Sequence, residues 1–266
     1  MQSNSSNLGQ TLKSLPKPGT FPMALPPVHL TRARWFSSIV DKGQLEPLPD
    51  DVFNEEVLYF FYGGVFYRTV NTSTRDTIEL PVAFLFDPSV LASFARYYPF
   101  DTGGLARGLF GDWGTRLGSF KETFMINGGD HTIPSQMVHY FYGTNENYLL
   151  GRVDPDLKNK PDPMPLLFDF FSEDLTPKGV DHRQYIIECQ ASLPVPLTKG
   201  LLWVGFPDYY TGEFERLLKL LEPSVPAYDK YDSHVIFNPT EIAAQLELTA
   251  RDHVKRYVSP PKARGV

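Results

Sequence analysis

The chain has 266 residues, 42% of them hydrophobic and 21% charged, which is an ordinary balance for a globular protein with a hydrophobic core. Acidic residues outnumber basic ones by 31 to 25, and the net charge of −6 argues against a surface devoted entirely to nucleic-acid binding. The single cysteine excludes an internal disulfide framework and a cysteine-based zinc finger, and the six scattered histidines form no metal-binding motif.

The sequence shows no apolar stretch near the roughly 20 residues that a membrane-spanning helix needs, and no secretory signal pattern at its start. We therefore expect a cytoplasmic protein without a membrane partner, in agreement with the single thiol. Residues 1–22, rich in Ser, Asn, Gly and Pro, predict a flexible N-terminal arm. Residues 23–258 predict a single domain, and residues 259–266 predict a frayed C-terminal tail.

Hydrophobic patterns predict mostly strands in the first half of the domain. The predicted elements are a strand at 28–30, a helix at 33–42, strands at 57–62, 65–70 and 80–86, and a short helix at 89–97. Gly43 stands where a helix end favours a left-handed residue.

The second half begins with a long segment rich in glycine and aromatic residues, of a length that usually carries a function. The predicted elements are a loop at 99–133, strands at 185–190 and 201–205, and helices at 210–221 and 242–257. Short strands and helices without regular βαβ alternation predict an α+β fold rather than a doubly wound sheet.

Two early segments contain candidate ligand contacts. His29 lies on the first predicted strand, where one ring nitrogen could donate to a sugar hydroxyl; the alternative is a half-buried structural histidine. Residues 58–68 are strongly aromatic, and most of these rings belong to a core strand. Tyr62 and Tyr67 flank a region where two glycines let a planar ligand approach the backbone, which makes both candidate contacts.

Glu188 interrupts an apolar strand, on the face that it shares with Ile186 and Gln190. A buried carboxylate is costly unless it is paired or used. Two interpretations remain open: a salt bridge to a nearby arginine, or a functional acid with a perturbed pKa. The neighbouring Cys189 is most simply an inert core thiol.

The glycine-rich run at 97–108 could bind phosphate oxygens through backbone amides, helped by Arg107. The run has neither the Walker pattern nor the dinucleotide-binding pattern, and the alternative is a plain surface loop.

Taken in order, these segments resemble the ADP-ribosyltransferase superfamily, and most closely its DarT-type branch. His29-x-Thr31 with the following helix, Ile39, and Gly43-x-Leu45 resembles the family's His-x-Thr strand and its sequel. Further blocks of likeness are 81–91, 183–194 and 201–205, so that the resemblance covers about two thirds of the chain in scattered pieces. The insert at 99–133 is unlike familiar members.

The resemblance implies a split β-sheet with peripheral helices and an NAD cleft between the halves of the sheet, to which this chain adds the Gly/aromatic-rich insert. The implied activity is NAD-dependent transfer of ADP-ribose to a macromolecular acceptor, with NAD hydrolysis as a close variant. The acceptor could be DNA, RNA or protein. A toxin or defence effector, restrained by an antitoxin or inhibitor protein, is the biological role that we consider.

The resemblance also implies roles for individual residues. Glu188 would be catalytic, because a carboxylate bonded to the ribose hydroxyl stabilises the oxocarbenium-like centre that forms as nicotinamide leaves. Nicotinamide leaves as a neutral molecule, so we expect no metal cofactor. The implied NAD contacts are His29, Thr31, Tyr62, Tyr67, Arg68 and Arg107. Tyr62 and Tyr67 are alternatives for the tyrosine that packs on nicotinamide, and Arg68 and Arg107 are alternatives for the arginine that contacts NAD.

Two other functions remain open at this point. A non-catalytic module could use an aromatic-lined cleft to bind a sugar or a partner peptide. A phosphodiester-cleaving enzyme could use His29 or His131, but the sequence lacks paired histidines and a carboxylate cluster for a metal. For a DNA acceptor, Arg32, Arg34 and Lys42 together with the basic C-terminal end could supply a local basic track.

Overall fold

The computed structural model describes residues 7–64, 74–173, 182–232 and 238–259. The strands are β1 (Pro27–Arg32), β2 (Gln44–Leu45), β3 (Leu48–Asp50), β4 (Glu55–Tyr62), β5 (Pro81–Phe86), β6 (Arg96–Tyr98), β7 (Ile126–Asn127), β8 (Glu188–Ala191), β9 (Val195–Pro196), β10 (Leu201–Pro207) and β11 (Ala227–Tyr231). The α-helices are α1 (Leu8–Ser14), α2 (Phe36–Lys42), α3 (Thr102–Ala106), α4 (Trp113–Arg116), α5 (Phe120–Thr123), α6 (Ile133–Tyr142), α7 (Asn145–Leu149), α8 (Met164–Ser172), α9 (Thr211–Leu221) and α10 (Pro239–Val258). This mixture of short strands and helices confirms the predicted α+β class.

The chain divides into two compact units, and each unit is assembled from separate stretches of sequence. Unit one comprises residues 1–24, 48–62 and 91–192. Unit two comprises residues 25–47, 63–90 and 193–266. Because the chain passes from one unit to the other repeatedly, no single linker separates them, and composition alone gives no sign of the division.

Unit one is built on antiparallel strands paired in the order β3-β4-β8-β6-β7. Strand β8 occupies the middle: Glu188 lies opposite Phe61 of β4 on one side and opposite Tyr98 of β6 on the other. All four residues of β8 are buried. A residue on this strand is therefore surrounded by protein on both sides of the sheet.

Unit two pairs its strands in the order β1-β5-β10-β11, with antiparallel pairs except for parallel β10 and β11. Strand β5 lies in the middle, and all six of its residues are buried and apolar. Helix α2 ends at Gly43, whose φ of 66° confirms the predicted left-handed end. The short strands β2 and β9 pair separately from this order.

The structure of residues 89–97 differs from the predicted helix. A 3₁₀ helix spans Pro88–Ser93, and the chain then enters strand β6. The pairing of β6 with β8 explains the change, because it buries the rings of Tyr97 and Tyr98 completely. The predicted strand at 185–190 likewise begins only at Glu188, after a 3₁₀ turn over His182–Tyr185.

The predicted loop at 99–133 is wrong, since this stretch contains helices α3, α4 and α5 and strand β7. Each helix is only four or five residues long, so none produces a detectable helical period in the sequence. Aromatic packing holds the segment in place. The rings of Phe100, Phe110 and Trp113 all lie within 5.7 Å, centroid to centroid, of Phe170 on α8.

Helix α1 lies within residues 1–22, the range predicted to be a flexible arm. Leu8 and Leu12 are buried, and the Thr11 hydroxyl donates to the Asp162 carbonyl at 2.7 Å. These contacts explain the order of the helix, which composition did not reveal. Helices α6 and α8 were also missed, because apolar residues on nearly every side of α6 obscure an amphipathic pattern.

Across the described ranges, no helix combines the length and the apolar character needed to cross a lipid bilayer.

Candidate active site

Glu188 is the most completely buried charged residue among the described residues of unit one. It opens the central strand β8, and its side chain has no solvent-exposed surface. Strand pairing fixes its backbone on both edges, through β4 and β6. The carboxyl group therefore depends entirely on neighbouring protein groups for its hydrogen bonds.

Three donors satisfy the two oxygens of the Glu188 carboxyl. The Thr102 backbone N–H donates to Oε2 at 3.0 Å, and the Thr102 hydroxyl donates to Oε1 at 2.7 Å. The Gln190 side-chain amide also donates to Oε1. The Thr102 N–H is available because it lies at the first position of α3, where backbone donors have no partner within the helix.

The polar contacts continue outward from Gln190. Arg96 donates through Nε to the Gln190 side-chain oxygen and through Nη2 to Glu55. Its guanidinium also lies 4.2 Å from the centroid of the Phe53 ring. Since arginine can only donate, it fixes the amide of Gln190 with the oxygen towards Arg96 and the nitrogen towards Glu188.

The electrostatic environment favours the neutral form of Glu188. Burial is the main cause and the nearby Asp101 carboxylate is the second, and together they raise the pKa of Glu188 to about 8. The donors from Gln190 and Thr102 act in the opposite direction. Asp101 is itself buried, and its Oδ1 accepts the Gly104 N–H at 2.8 Å.

The salt-bridge interpretation of Glu188 is wrong for the part of the chain that the structure describes. Glu188 accepts from Thr102 and Gln190, and Arg96 reaches it only through Gln190. The sequence placed Gln190 on the same strand face as Glu188. No sequence signal pointed to Thr102, which precedes Glu188 by 86 positions.

Tyr62 also lies in unit one, in the environment of a core side chain. It is completely buried, and its hydroxyl is 3.0 Å from the Ser135 Oγ. Its backbone carbonyl accepts the Tyr148 hydroxyl at 2.7 Å. Contact with nicotinamide stays a prediction for Tyr62, while Tyr67 and Arg68 lie outside the described residues.

His29 and Thr31 lie on the same face of β1, in unit two, and both are half-buried. His29 pairs with Phe84 of β5, and the two rings are 6.3 Å apart. Thr31 pairs with Val82 on the same strand. Their convergence with Glu188 around a ligand stays a prediction.

The glycine-rich run at 97–108 forms β6 and α3 rather than an open phosphate-binding loop. At Gly104 a Cβ atom would lie 2.9 Å from the Phe110 ring, so close packing explains this glycine. Arg107 is exposed just after α3, and its contact with NAD stays a prediction.

The basic track suggested by the sequence is largely paired with carboxylates. Arg32 and Arg34 both contact Glu79, and Lys42 contacts Glu46. These pairs reduce the positive potential that the three side chains could offer to phosphates. Across the described ranges, no cluster of three or more His, Cys, Asp or Glu residues is arranged to hold a metal ion.

Comparison with known proteins gives weak similarities to solved structures. No protein-family model and no curated protein matches the sequence. DarT from Thermus sp. 2.9 in complex with NAD⁺ aligns with 80% of this chain and 98% of its own, at 8% identity and a TM-score of 0.40. The same protein in complex with ADP-ribosylated ssDNA aligns over 80% and 96% of the two chains, at 8% identity and a TM-score of 0.39.

Proposed function

We propose that the chain is an NAD-dependent ADP-ribosyltransferase in which Glu188 is the catalytic residue. The observation that carries the proposal is the Glu188 carboxyl, which is fully buried on a central strand and surrounded by hydrogen-bond donors. Its pKa is raised by burial and by Asp101. Perturbed carboxyls in such positions are concentrated at functional sites.

The resemblance of the sequence supports the same assignment. By that resemblance, Glu188 would correspond to the family's catalytic glutamate, and His29 and Thr31 would correspond to its His-x-Thr motif. The other proposed NAD contacts are Tyr62, Tyr67, Arg68 and Arg107. Because Glu188 and Tyr62 are completely buried, NAD binding must displace some of the groups that cover them.

The proposed reaction begins with cleavage of the bond between ribose C1′ and the nicotinamide nitrogen. The electron pair of that bond stays with nicotinamide, which leaves as a neutral molecule, while the ribose gains oxocarbenium character. The Glu188 carboxylate accepts a hydrogen bond from a ribose hydroxyl and stabilises the developing positive charge. The acceptor nucleophile then forms the new bond to C1′ and loses its proton; with water as acceptor, the reaction is NAD hydrolysis.

The raised pKa gives this mechanism a testable pH dependence. The catalytic form is the carboxylate, whereas the free protein holds Glu188 largely neutral at pH 7, since the pKa is about 8. We expect kcat/KM to rise about tenfold for each pH unit below that value and to level off above it. A rate that is flat from pH 6 to pH 9 would contradict the assignment.

The acceptor in this proposal is a macromolecule, either nucleic acid or protein. The pairing of Arg32 and Arg34 with Glu79 reduces the positive charge that this region could offer to a nucleic acid. A cytoplasmic toxin or defence role and a restraining inhibitor protein belong to the same proposal.

The decisive experiment uses NAD⁺ labelled on its adenylate phosphate, with single-stranded DNA, RNA and a protein mixture offered as acceptors. Nicotinamide release and transfer of label are both measured. We expect Glu188→Gln to reduce turnover by about a thousandfold and to change NAD⁺ affinity by less than about threefold.

Glu247→Gln is the matched control, because Glu247 is a half-buried glutamate of α10 that pairs with Arg251. It should leave turnover unchanged. No nicotinamide release with any acceptor, or full turnover in Glu188→Gln, would reject the proposal. NAD⁺ binding without turnover in the unmodified protein would instead favour a binding module.

A further inference from the structure

The two oxygens of the Glu188 carboxyl are not equivalent. Each carboxylate oxygen can accept about two hydrogen bonds. Oε1 already accepts two, from the Thr102 hydroxyl and from Gln190. Among the described residues, Oε2 accepts only the Thr102 N–H. Oε2 is therefore the oxygen with capacity for one more donor.

We infer that Thr102 is a positioning residue, which with Gln190 orients the Glu188 carboxyl so that Oε2 receives the ribose hydroxyl of NAD. This inference rests on the proposed function. It adds that Oε2 is the carboxyl oxygen that binds the ribose hydroxyl, and that Thr102 holds the carboxyl in the required orientation. Thr102 contacts Glu188 rather than the reacting atoms, so its effect on the reaction is indirect.

Thr102 is suited to this role because one residue holds both oxygens. Its backbone N–H and its hydroxyl approach Oε2 and Oε1 at 3.0 and 2.7 Å, so that rotation of the carboxyl would break both bonds. Thr102 is itself fully buried at the start of α3. Asp101 caps the same helix through Gly104 and so fixes the position of the Thr102 backbone.

Gln190 provides the second support from within β8. Its amide cannot turn around without placing its nitrogen against the guanidinium of Arg96, where two donors would face each other. The Gln190 amide nitrogen, which donates to Oε1, is therefore held in place by Arg96. Arg96 is itself held by its contact with the half-exposed Glu55. Both donors to Oε1 come from groups that have little freedom to move.

The experiment compares Thr102→Val, which removes only the hydroxyl donor, with Thr102→Ser, which retains it. Thr11→Val is the matched control, because Thr11 is also a buried threonine of unit one and its hydroxyl donates to the Asp162 carbonyl. Kinetics are measured as nicotinamide release from NAD⁺. The pKa of Glu188 is measured separately, by titrating the carboxyl ¹³C resonance in protein without NAD⁺.

On the plateau of the pH profile, where the carboxyl is charged in both proteins, we expect Thr102→Val to lower kcat about tenfold with KM for NAD⁺ within about twofold, because the carboxyl is misdirected while NAD binding is retained. The pKa of Glu188 should rise by about one unit, since one donor to the charged form is lost. Thr102→Ser should restore both values, and Thr11→Val should change neither.

The titration also involves the other ionisable groups around Glu188. These groups are Asp101 before α3, Tyr59 on β4, Tyr98 on β6 and Cys189 on β8. Burial raises the pKa of both tyrosines and of Cys189, and all three stay neutral in the range of the titration. The carboxyl resonance of Asp101, whose charge contributes to the raised pKa of Glu188, is followed in the same spectra.

The outcomes separate this inference from the proposed function. An unchanged kcat and an unchanged pKa of Glu188 in a folded Thr102→Val protein would overturn the role of Thr102. If Thr102→Val does not fold, Thr102→Ala removes the same donor without adding bulk and is judged by the same two readouts. Absence of nicotinamide release from the unmodified protein would overturn the proposed function, and the titration would still decide whether Thr102 holds the carboxyl.

Discussion

Strands β5 and β8 occupy the same position in their respective units and differ sharply in composition. Each lies between two neighbouring strands, β1 and β10 for β5, and β4 and β6 for β8. All residues of both strands are buried. Strand β5 reads Pro-Val-Ala-Phe-Leu-Phe, whereas β8 reads Glu-Cys-Gln-Ala.

Strand β5 shows that a central strand in this protein can be entirely apolar. The polar residues of β8 are therefore not a requirement of its place in the sheet. A buried carboxyl has to recover its lost hydration through hydrogen bonds, and an apolar side chain of similar size is often at least as stable. The contrast shows that a central position in a sheet does not by itself explain Glu188 and Gln190, and the proposed catalytic role of Glu188 would explain its presence there.

The largest expected effect comes from opening a cavity in β5. Phe84→Ala removes a fully buried ring that packs against Phe36, and we expect the free energy of unfolding to fall by about 3–5 kcal/mol. Urea denaturation measures the change. Leu248→Ala is the control, because Leu248 is 64% exposed and its loss should cost less than about 0.5 kcal/mol. Equal effects of the two changes would contradict the assignment of β5 as a core strand.

A second test uses pH to compare Glu188 with an uncharged side chain. The pKa of Glu188 rises from 4.5 to about 8 on folding, so the folded state retains a proton that the unfolded state loses. Its contribution to stability is complete below pH 4.5 and is lost as the pH rises towards 8. We expect the free energy of unfolding of the unmodified protein to fall over this range relative to that of Glu188→Gln, with a slope of at most about 1.4 kcal/mol per pH unit.

Thermal unfolding at several pH values measures that difference. The comparison concerns the slope with pH, because replacement by glutamine also removes an acceptor for the Thr102 N–H at every pH. If the free energies of unfolding of the two proteins changed with pH in the same way, the pKa of Glu188 would not be raised on folding. Strands β8 and β5 would then not differ in their electrostatics.

A third test removes the other polar side chain of β8. Gln190→Met keeps the length of the side chain but leaves Arg96 and Glu188 each without one partner. We expect a loss of about 1.5 kcal/mol in the free energy of unfolding. Val82→Ile adds one methyl group to the apolar strand β5 and is the comparison. If Gln190→Met were more stable than the unmodified protein, the amide of Gln190 would not support the carboxyl of Glu188.

The smallest expected effect is at Tyr62. Tyr62→Phe removes the hydrogen bond to Ser135 and should cost about 1 kcal/mol, with NAD⁺ affinity within about twofold of the original. Calorimetry of NAD⁺ binding measures the second quantity. A loss of NAD⁺ affinity greater than tenfold would show that the Tyr62 hydroxyl contacts NAD⁺. Tyr62 would then be a second proposed site residue of unit one beside Glu188.

The sequence was informative where its signals were local. The apolar and aromatic runs of β4 and β5, the glycine after α2 and the amphipathic spacing of α9 each depend on adjacent residues, and each element was predicted. Strand β6 was predicted as part of a helix because its structure depends on pairing with β8, far away in the chain. Helices α3 to α5 are too short to have a period of their own.

In the candidate site, too, the residues with a local signal in the sequence could be predicted and those with long-range contacts could not. Glu188 could be identified from its own strand, since a carboxyl amid apolar residues is visible in the sequence. Gln190 could be placed beside it by alternation. Thr102 and Arg96 could not, because their contacts with the cluster come from tertiary packing and from the register between β6 and β8.

The interleaving of the two units has a consequence for the growing chain. Proteins leave the ribosome from the N-terminus, and unit one is complete at residue 192, before β10 has been synthesised. A polypeptide terminated early at this point would carry Glu188 and all the groups that hold it, yet one long edge of β5 would have lost its neighbour. Unpaired apolar edges promote aggregation, so such a fragment would be prone to associate with other chains through that edge.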